Sequence, residues 1–176
     1  MGFSWIFRKR WLRVSLGEEF YSPLPVPART ALLDTGFCAG PNMSEFSPEE
    51  IPWLRAWEPA MLVTPLRTAL DLADQKRRGI FNLPSLNTAM VVLTSADDSL
   101  ADHHRDILWT TFGVPVFEQF RNSDGEVIAR ECEVHDGLHL ADSTATLGGE
   151  IITGACACGQ ETPRLRRRSS HHTIAA

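Results

Sequence analysis

The sequence has few cysteines, only four in 176 residues, and no long apolar run at its N-terminus. Two cysteines lie one residue apart, which is unlike the framework of a secreted disulfide protein. The N-terminal apolar stretch contains basic residues and is too short for a signal-peptide core or a membrane span. We therefore predict a protein of a reducing compartment, located in the cytoplasm and not associated with membranes.

An excess of positive charge is also missing, because the formal net charge is −5. A general nucleic-acid binder would show a strongly basic balance, so we expect no nucleic-acid partner. The composition, 43% hydrophobic and 22% charged, is that of an ordinary globular domain. A chain of this length buries about two-thirds of its unfolded surface, so its core does not depend on a metal or a disulfide.

The middle of the chain alternates between short apolar runs and helical patterns. Residues 60–64, 89–93 and 114–117 form the apolar runs, which predict strands. One helix is expected after Thr64-Pro65 and another over 99–112. Strand, helix, strand, helix, strand predicts parallel strands joined by right-handed crossovers. Beyond Asn122, short runs separated by glycine-containing turns predict antiparallel pairing.

The residues with the most distinctive chemistry lie between Glu131 and Leu165. This stretch contains three of the four cysteines and two of the six histidines, namely Cys132, Cys156, Cys158, His135 and His139. A closed tetrahedral zinc site needs four such thiolate or imidazole donors. The alternative is that the cysteines pack as small apolar side chains. The spacing favours zinc, and it leaves open which histidine supplies the nitrogen ligand.

Two segments of the same stretch resemble the phenylacetate-CoA ligase family, a branch of the adenylate-forming (AMP-binding) enzymes. ECEVHDGLHL at 131–140 is similar to the family's ECE-x-x-DGLHI, and CACGQETPRL at 156–165 is similar to its Cys-Pro-Cys-Gly-Arg-Thr-x-Pro-Arg segment. Some members of that family hold a structural zinc at these cysteines and the histidine. The resemblance therefore implies four zinc ligands, with His135 as a substitute: Cys132, His139, Cys156 and Cys158.

A weaker resemblance to this family extends into the α/β part. LTSADDSL lies where the family has a Gly-Ala-Glu loop, and FGVPVFEQFRNSDG covers its Tyr-Gly-x-Ser/Thr-Glu motif. The resemblance implies contacts with ATP or AMP, and with Mg²⁺, at five positions: Ser95, Asp97, Phe120, Ser123 and Asp124. Arg121 departs from the pattern, because a side chain stands where the family has a glycine that lets the nucleotide approach closely.

Other parts of the family are missing from this sequence. Adenylate formation needs backbone amides and a cation around the triphosphate, and no Ser/Thr/Gly-rich phosphate loop precedes Leu62. No segment after the Cys-x-Cys resembles the domain with the family's catalytic lysine. We therefore predict no catalytic residues and an accessory or degenerate zinc-binding domain. The alternative is an acid-CoA ligase that is active alone or when completed by a partner chain.

The predicted fold class is α/β, with a mainly parallel sheet of three or more strands and a small antiparallel β part cross-linked by zinc. Four regions are expected: an N-terminal segment with a proline-rich connector (1–46), an α/β core resembling part of an AMP-binding domain (47–126), a β-rich zinc-binding part (127–166) and a disordered tail (167–176). The basic run from Arg164 to Arg168 also suggests disorder. The expected partners are a partner protein or a second copy, an adenine nucleotide and an aromatic acid.

Overall fold

The computed structural model describes residues 24, 29–37, 39–141 and 149–167. The basic N-terminal stretch, nearly all of the proline-rich connector, Cys38 and residues 168–176 lie outside the described residues. The predictions made for those segments therefore stay predictions. Among the helices in the described ranges, none has the length and apolar character needed to cross a bilayer.

Within the described residues, nine strands form one continuous mixed sheet with helices attached to its parallel half. In chain order the strands are β1 (Thr30–Leu33), β2 (Met43–Phe46), β3 (Met61–Pro65), β4 (Ala89–Thr94), β5 (Val116–Arg121), β6 (Val127–Glu131), β7 (Leu138–Leu140), β8 (Glu150–Ile152) and β9 (Arg164–Arg166). The helices are α1 (Ile51–Trp57), α2 (Leu66–Arg77) and α3 (Asp102–Phe112), and a 3-10 turn (Pro48–Glu50) precedes α1. The order across the sheet is β2-β1-β3-β4-β5-β6-β7-β9-β8.

The first five strands across the sheet, from β2 to β5, are all parallel. Helix α2 connects β3 to β4, and α3 connects β4 to β5. Leu62, Met90 and Val116 face the helices, whereas Met61, Val91 and Phe117 belong to a second buried cluster. Strands buried on both faces explain the continuous apolar runs in the sequence. The predicted mixed α/β fold with parallel strands and helical crossovers is confirmed.

Helix α3 begins three residues later than the sequence predicts. Ser99 to Ala101 do not join the helix, and the backbone N–H of Leu100 instead points to the carboxylate of Glu118 at 3.4 Å. The helix therefore begins at Asp102 and ends where Gly113 adopts a φ of 72°. The tertiary contact with Glu118 takes the place of the first helical turn.

The remaining strands pair in antiparallel fashion and extend the sheet without a break. The expectation of disorder from Arg164 is wrong up to Arg166, because β9 lies between β7 and β8. Leu165 is buried in this strand, and Arg164 and Arg166 pair with the carboxylate of Asp136. Both basic residues therefore form ion pairs within the fold, and the apolar residue between them anchors the strand.

Candidate functional site

The cysteines and the histidine from two distant segments meet at one place beside the antiparallel half of the sheet. The ligand atoms of Cys132, His139, Cys156 and Cys158 all lie within 4.8 Å of one another. The two Sγ atoms of Cys132 and Cys156 are 3.8 Å apart, and Sγ of Cys158 is 3.4 Å from Nε2 of His139. Only Cys158 is partly exposed, whereas the other three residues are buried.

Local structure brings these donors together. Cys132 directly follows β6, and His139 is the central residue of β7. Leu138 and Leu140, on either side of the histidine, pack into an apolar cluster. Successive side chains in a strand point to opposite faces, so His139 points away from that cluster. The two remaining cysteines lie in a turn that is closed by the hydrogen bond from Gly159 N–H to the carbonyl of Cys156 at 2.9 Å.

His139 is oriented by a neighbour on its far side. Its Nδ1 lies 2.8 Å from Oγ1 of Thr162, so Nε2 is the nitrogen that faces the sulfurs. Burial lowers the pKa of His139, and the charges of Arg164 and Arg130 lower it further. The imidazole is therefore held in its neutral form, which is the form that binds metals. A hydrogen-bond partner on the second ring nitrogen is a regular feature of histidine metal ligands.

Two of the distances within the cluster are close to the edges of a tetrahedral metal site, and the others are at most 4.8 Å. Bonds of about 2.3 Å to sulfur and about 2.0 Å to nitrogen imply edges of roughly 3.8 Å between sulfurs and 3.6 Å between sulfur and nitrogen. The observed 3.8 Å and 3.4 Å are close to these values. Burial raises the pKa of Cys132 to about 11, whereas the backbone N–H of Cys158 lowers the pKa of Cys156. The group could hold a metal ion, which would take the place of the thiol protons.

His135, the other histidine of this stretch, lies in a different environment. Its Nδ1 is 3.1 Å from a carboxylate oxygen of Glu131, and its ring stacks on Phe117 with 4.9 Å between centroids. Arg105 contacts the same carboxylate at 3.0 Å. His135 is therefore part of a charged network and is not a member of the Cys/His cluster.

Glu118 on β5 has a buried carboxyl group that was not predicted from the sequence. Its carboxylate accepts hydrogen bonds from Thr94 Oγ1 at 2.6 Å and from Arg167 Nη1 at 3.1 Å. Burial raises the pKa of Glu118, although Thr94 and Arg167 act in the opposite direction. The strand VFEQFR also contains Gln119 and Arg121, so nothing in the sequence singles out Glu118 as the buried carboxylate. A cavity of about 130 Å³ lies beside this carboxylate and that of Glu131.

The five predicted nucleotide contacts do not all lie together. Ser95 and Ser123 line one cavity of about 340 Å³ outside the carboxyl ends of β3 and β4, together with Asp98 and Arg121. Asp97 and Asp124 are exposed and are not among the residues that line this cavity. Phe120 is buried in the apolar cluster of the antiparallel half, where the guanidinium carbon of Arg167 lies 4.3 Å from its ring centroid.

Asp98, the neighbour of the predicted Asp97, is the acidic side chain at this cavity. Its carboxylate accepts hydrogen bonds from both the backbone N–H and the hydroxyl of Ser95. The bond from the hydroxyl is 3.1 Å long. The loop after β4 is therefore held in place by its own aspartate. Ser95 and Asp98 both line the cavity.

Comparison with known proteins places the fold. No family model matches the chain, and no curated protein matches its sequence. An open conformation of 2-hydroxyisobutyryl-CoA ligase in complex with 2-HIB-AMP and CoA matches with a TM-score of 0.58 and 12% identity over 79% of this chain and 44% of that chain. The same ligase in its thioesterification state matches with a TM-score of 0.57 and 13% identity, over 79% and 42% of the two chains. This chain thus spans less than half the length of these ligase chains, and it shares the fold of part of 2-hydroxyisobutyryl-CoA ligase.

Proposed function

We propose that this chain is a zinc-binding domain of the phenylacetate-CoA ligase type that serves as an accessory or degenerate module and does not itself form an acyl adenylate. The observation that carries the proposal is the convergence of three sulfurs and one imidazole nitrogen within 4.8 Å. The two sequence segments that resemble the family contain these four residues. The fold shared with an acyl-CoA ligase supports the same assignment.

Zinc is the metal that suits this donor set. Thiolate ligands favour zinc, and four protein ligands complete a tetrahedral site. Such a site leaves no position for water or substrate, so the ion has a structural role. Cys132, His139, Cys156 and Cys158 would hold it, and the ion would join the β6–β7 hairpin to the turn that follows β8.

Zinc content tests this metal centre directly. Elemental analysis of the purified protein should give about one zinc per chain. Cys156→Ser and His139→Ala should reduce this to less than half, whereas the matched control His135→Ala should retain it, since His135 contacts Glu131 instead. Less than half an equivalent of zinc in the wild-type protein would contradict the proposal.

The cavity outside the carboxyl ends of β3 and β4 is the proposed site for an adenine nucleotide. Open α/β sheets bind ligands at this edge. Of the five positions implied by the family resemblance, we assign the contacts to Ser95 and Ser123, whose side chains line the cavity. The 2-hydroxyisobutyryl-CoA ligase structures hold an acyl-AMP and CoA. A bound Mg²⁺ would supply a counter-charge for the phosphates.

Catalysis is not expected from the chain alone, because no phosphate loop is recognisable in its sequence. Exchange of pyrophosphate with ATP, measured with a panel of aromatic acids, distinguishes an inactive module from an active acid-CoA ligase. We expect no exchange above background. Sustained exchange would favour the alternative, an acyl- or aryl-CoA ligase that is active alone or is completed by a partner chain.

A further inference from the structure

The parallel half of the sheet has a point at which the strand order reverses. From β1 the chain passes to β2 on one side and then crosses to β3 on the other side. In open α/β sheets the crevice outside the carboxyl ends of the strands at such a reversal is the usual ligand site. Here residues 34–37 form the loop that follows β1, and Pro65 at the end of β3 lines the cavity that contains Ser95.

Arg121 extends into this crevice from the end of β5. Its Nη1 donates a hydrogen bond to the carbonyl of Thr35 at 2.7 Å, and its Nε donates to the carbonyl of Gly125 at 2.5 Å. The guanidinium carbon lies 4.8 Å from the ring centroid of Phe37. The same side chain lines the cavity that contains Ser95. One arginine therefore connects the β5–β6 turn to the loop after β1 across the proposed nucleotide site.

The loop that receives Arg121 is held in shape by its own contacts. Oγ1 of Thr35 accepts the backbone N–H of Phe37 at 3.0 Å, and Phe37 is fully buried. Asp34 and Gly36 have φ values of 56° and 71°, so the backbone turns sharply on both sides of Thr35. The carbonyl acceptor and the aromatic ring are thus in position for the guanidinium. Hydrogen bonds from an ionised donor are stronger than those between neutral groups.

We infer that Arg121 is a gating residue whose guanidinium ties the loop after β1 to the β5–β6 turn, so that a nucleotide fits into the crevice only when the guanidinium leaves Thr35 and Phe37. This inference rests on the proposed function, because it concerns the cavity to which the nucleotide is assigned. When the binding-competent state is only a small fraction of the population, the apparent affinity falls by that fraction. Removing the arginine side chain should therefore strengthen nucleotide binding.

The test is a calorimetric titration of the purified protein with ATP and with AMP, each in the presence of Mg²⁺. Arg121→Ala should bind at least one of the two about tenfold more tightly than the wild type. Arg121→Met removes the hydrogen bonds but keeps an aliphatic chain on Phe37, and it should also bind more tightly. This second variant carries the test if the alanine variant does not fold.

Arg29→Ala is the matched control. Arg29 also donates to a backbone carbonyl, that of Trp57 at 2.9 Å, but it does not line the cavity. Its substitution should leave nucleotide affinity unchanged. Equal or weaker binding by both Arg121 variants, or an equal gain in Arg29→Ala, would overturn the inference. Zinc content reports separately on the proposed metal centre, since a protein without zinc would refute that centre and leave the comparison of affinities standing.

Discussion

Removal of the proposed zinc should lower the melting temperature of the protein by about 7–14 °C. An ion that joins Cys132 to Cys156 closes a loop of 24 residues. For a cross-link of this length the chain-entropy model gives about 3.4 kcal/mol at 25 °C. In a domain of this size each kcal/mol corresponds to about 2–4 °C in melting temperature. The predicted shift follows from these two values.

The assay is thermal unfolding followed by circular dichroism, with and without a zinc chelator. Cys156→Ser should melt at the lower temperature and should not respond to the chelator. His135→Ala should still respond, since His135 lies outside the Cys/His cluster. Hydrogen exchange adds a local readout, because the faster exchange should be confined to β6–β9. A chelator that extracts the metal and leaves both the melting temperature and this exchange unchanged would refute the cross-link argument.

Three further predictions concern the buried charges and one turn. Arg167→Ala should cost about 3 kcal/mol in urea unfolding because it leaves the Glu118 carboxylate without its cation, whereas the exposed Arg166→Ala should cost less than about 1 kcal/mol. The raised pKa of Glu118 means that the folded state holds this proton to a higher pH than the unfolded state, so stability should fall as pH rises from about 4.5 through the folded pKa. Glu118→Gln should therefore gain stability relative to the wild type between pH 4.5 and pH 8 in paired urea titrations, and a constant difference would contradict this. Gly137→Ala should cost about 1–3 kcal/mol, since Gly137 has a φ of 84° and an added Cβ would lie 3.1 Å from the carbonyl oxygen of Leu165; an unchanged urea midpoint would count against it.

The parts of the fold that the sequence predicts are those determined by local patterns. Helix α2 begins directly after Pro65 and its C-cap precedes Gly79, as the turn and capping residues indicate. At the 3-10 turn before α1, the carboxylate of Glu50 reaches back and accepts the backbone N–H of Ser47, the residue before the turn, at 2.8 Å. These features depend on residues three or four positions apart, so they can be read without tertiary information.

The missed strands depend on contacts between distant residues. Strand β2 contains only two apolar residues, and it forms by pairing with β1. Strand β9 has the sequence pattern of a solvated basic run. Its carboxylate partner, Asp136, lies 28 residues from Arg164, so the sequence pattern does not reveal the pairing. The pair between Glu118 and Arg167 spans 49 residues. A single sequence gives no indication of which distant charges will meet.

The Cys/His cluster was predicted from two segments that resemble one family, and the structure brings the four side chains together. The choice between the two histidines could not be made from spacing. It depends on the alternation of side chains along β7, where Leu138 and Leu140 enter the core and His139 faces the other way. His135 precedes this strand in a turn and therefore points elsewhere.

The position of β9 has a consequence for synthesis on the ribosome. Because β9 lies between β7 and β8, the earlier strand β8 has no neighbour to pair with until Arg164–Arg166 have emerged. A nascent chain that extends only to Ile152 carries Cys132 and His139 but neither of the other two sulfurs. Two of the four donors are therefore translated before the other two, and the sheet around them can be completed only after residues 164–166 have been translated.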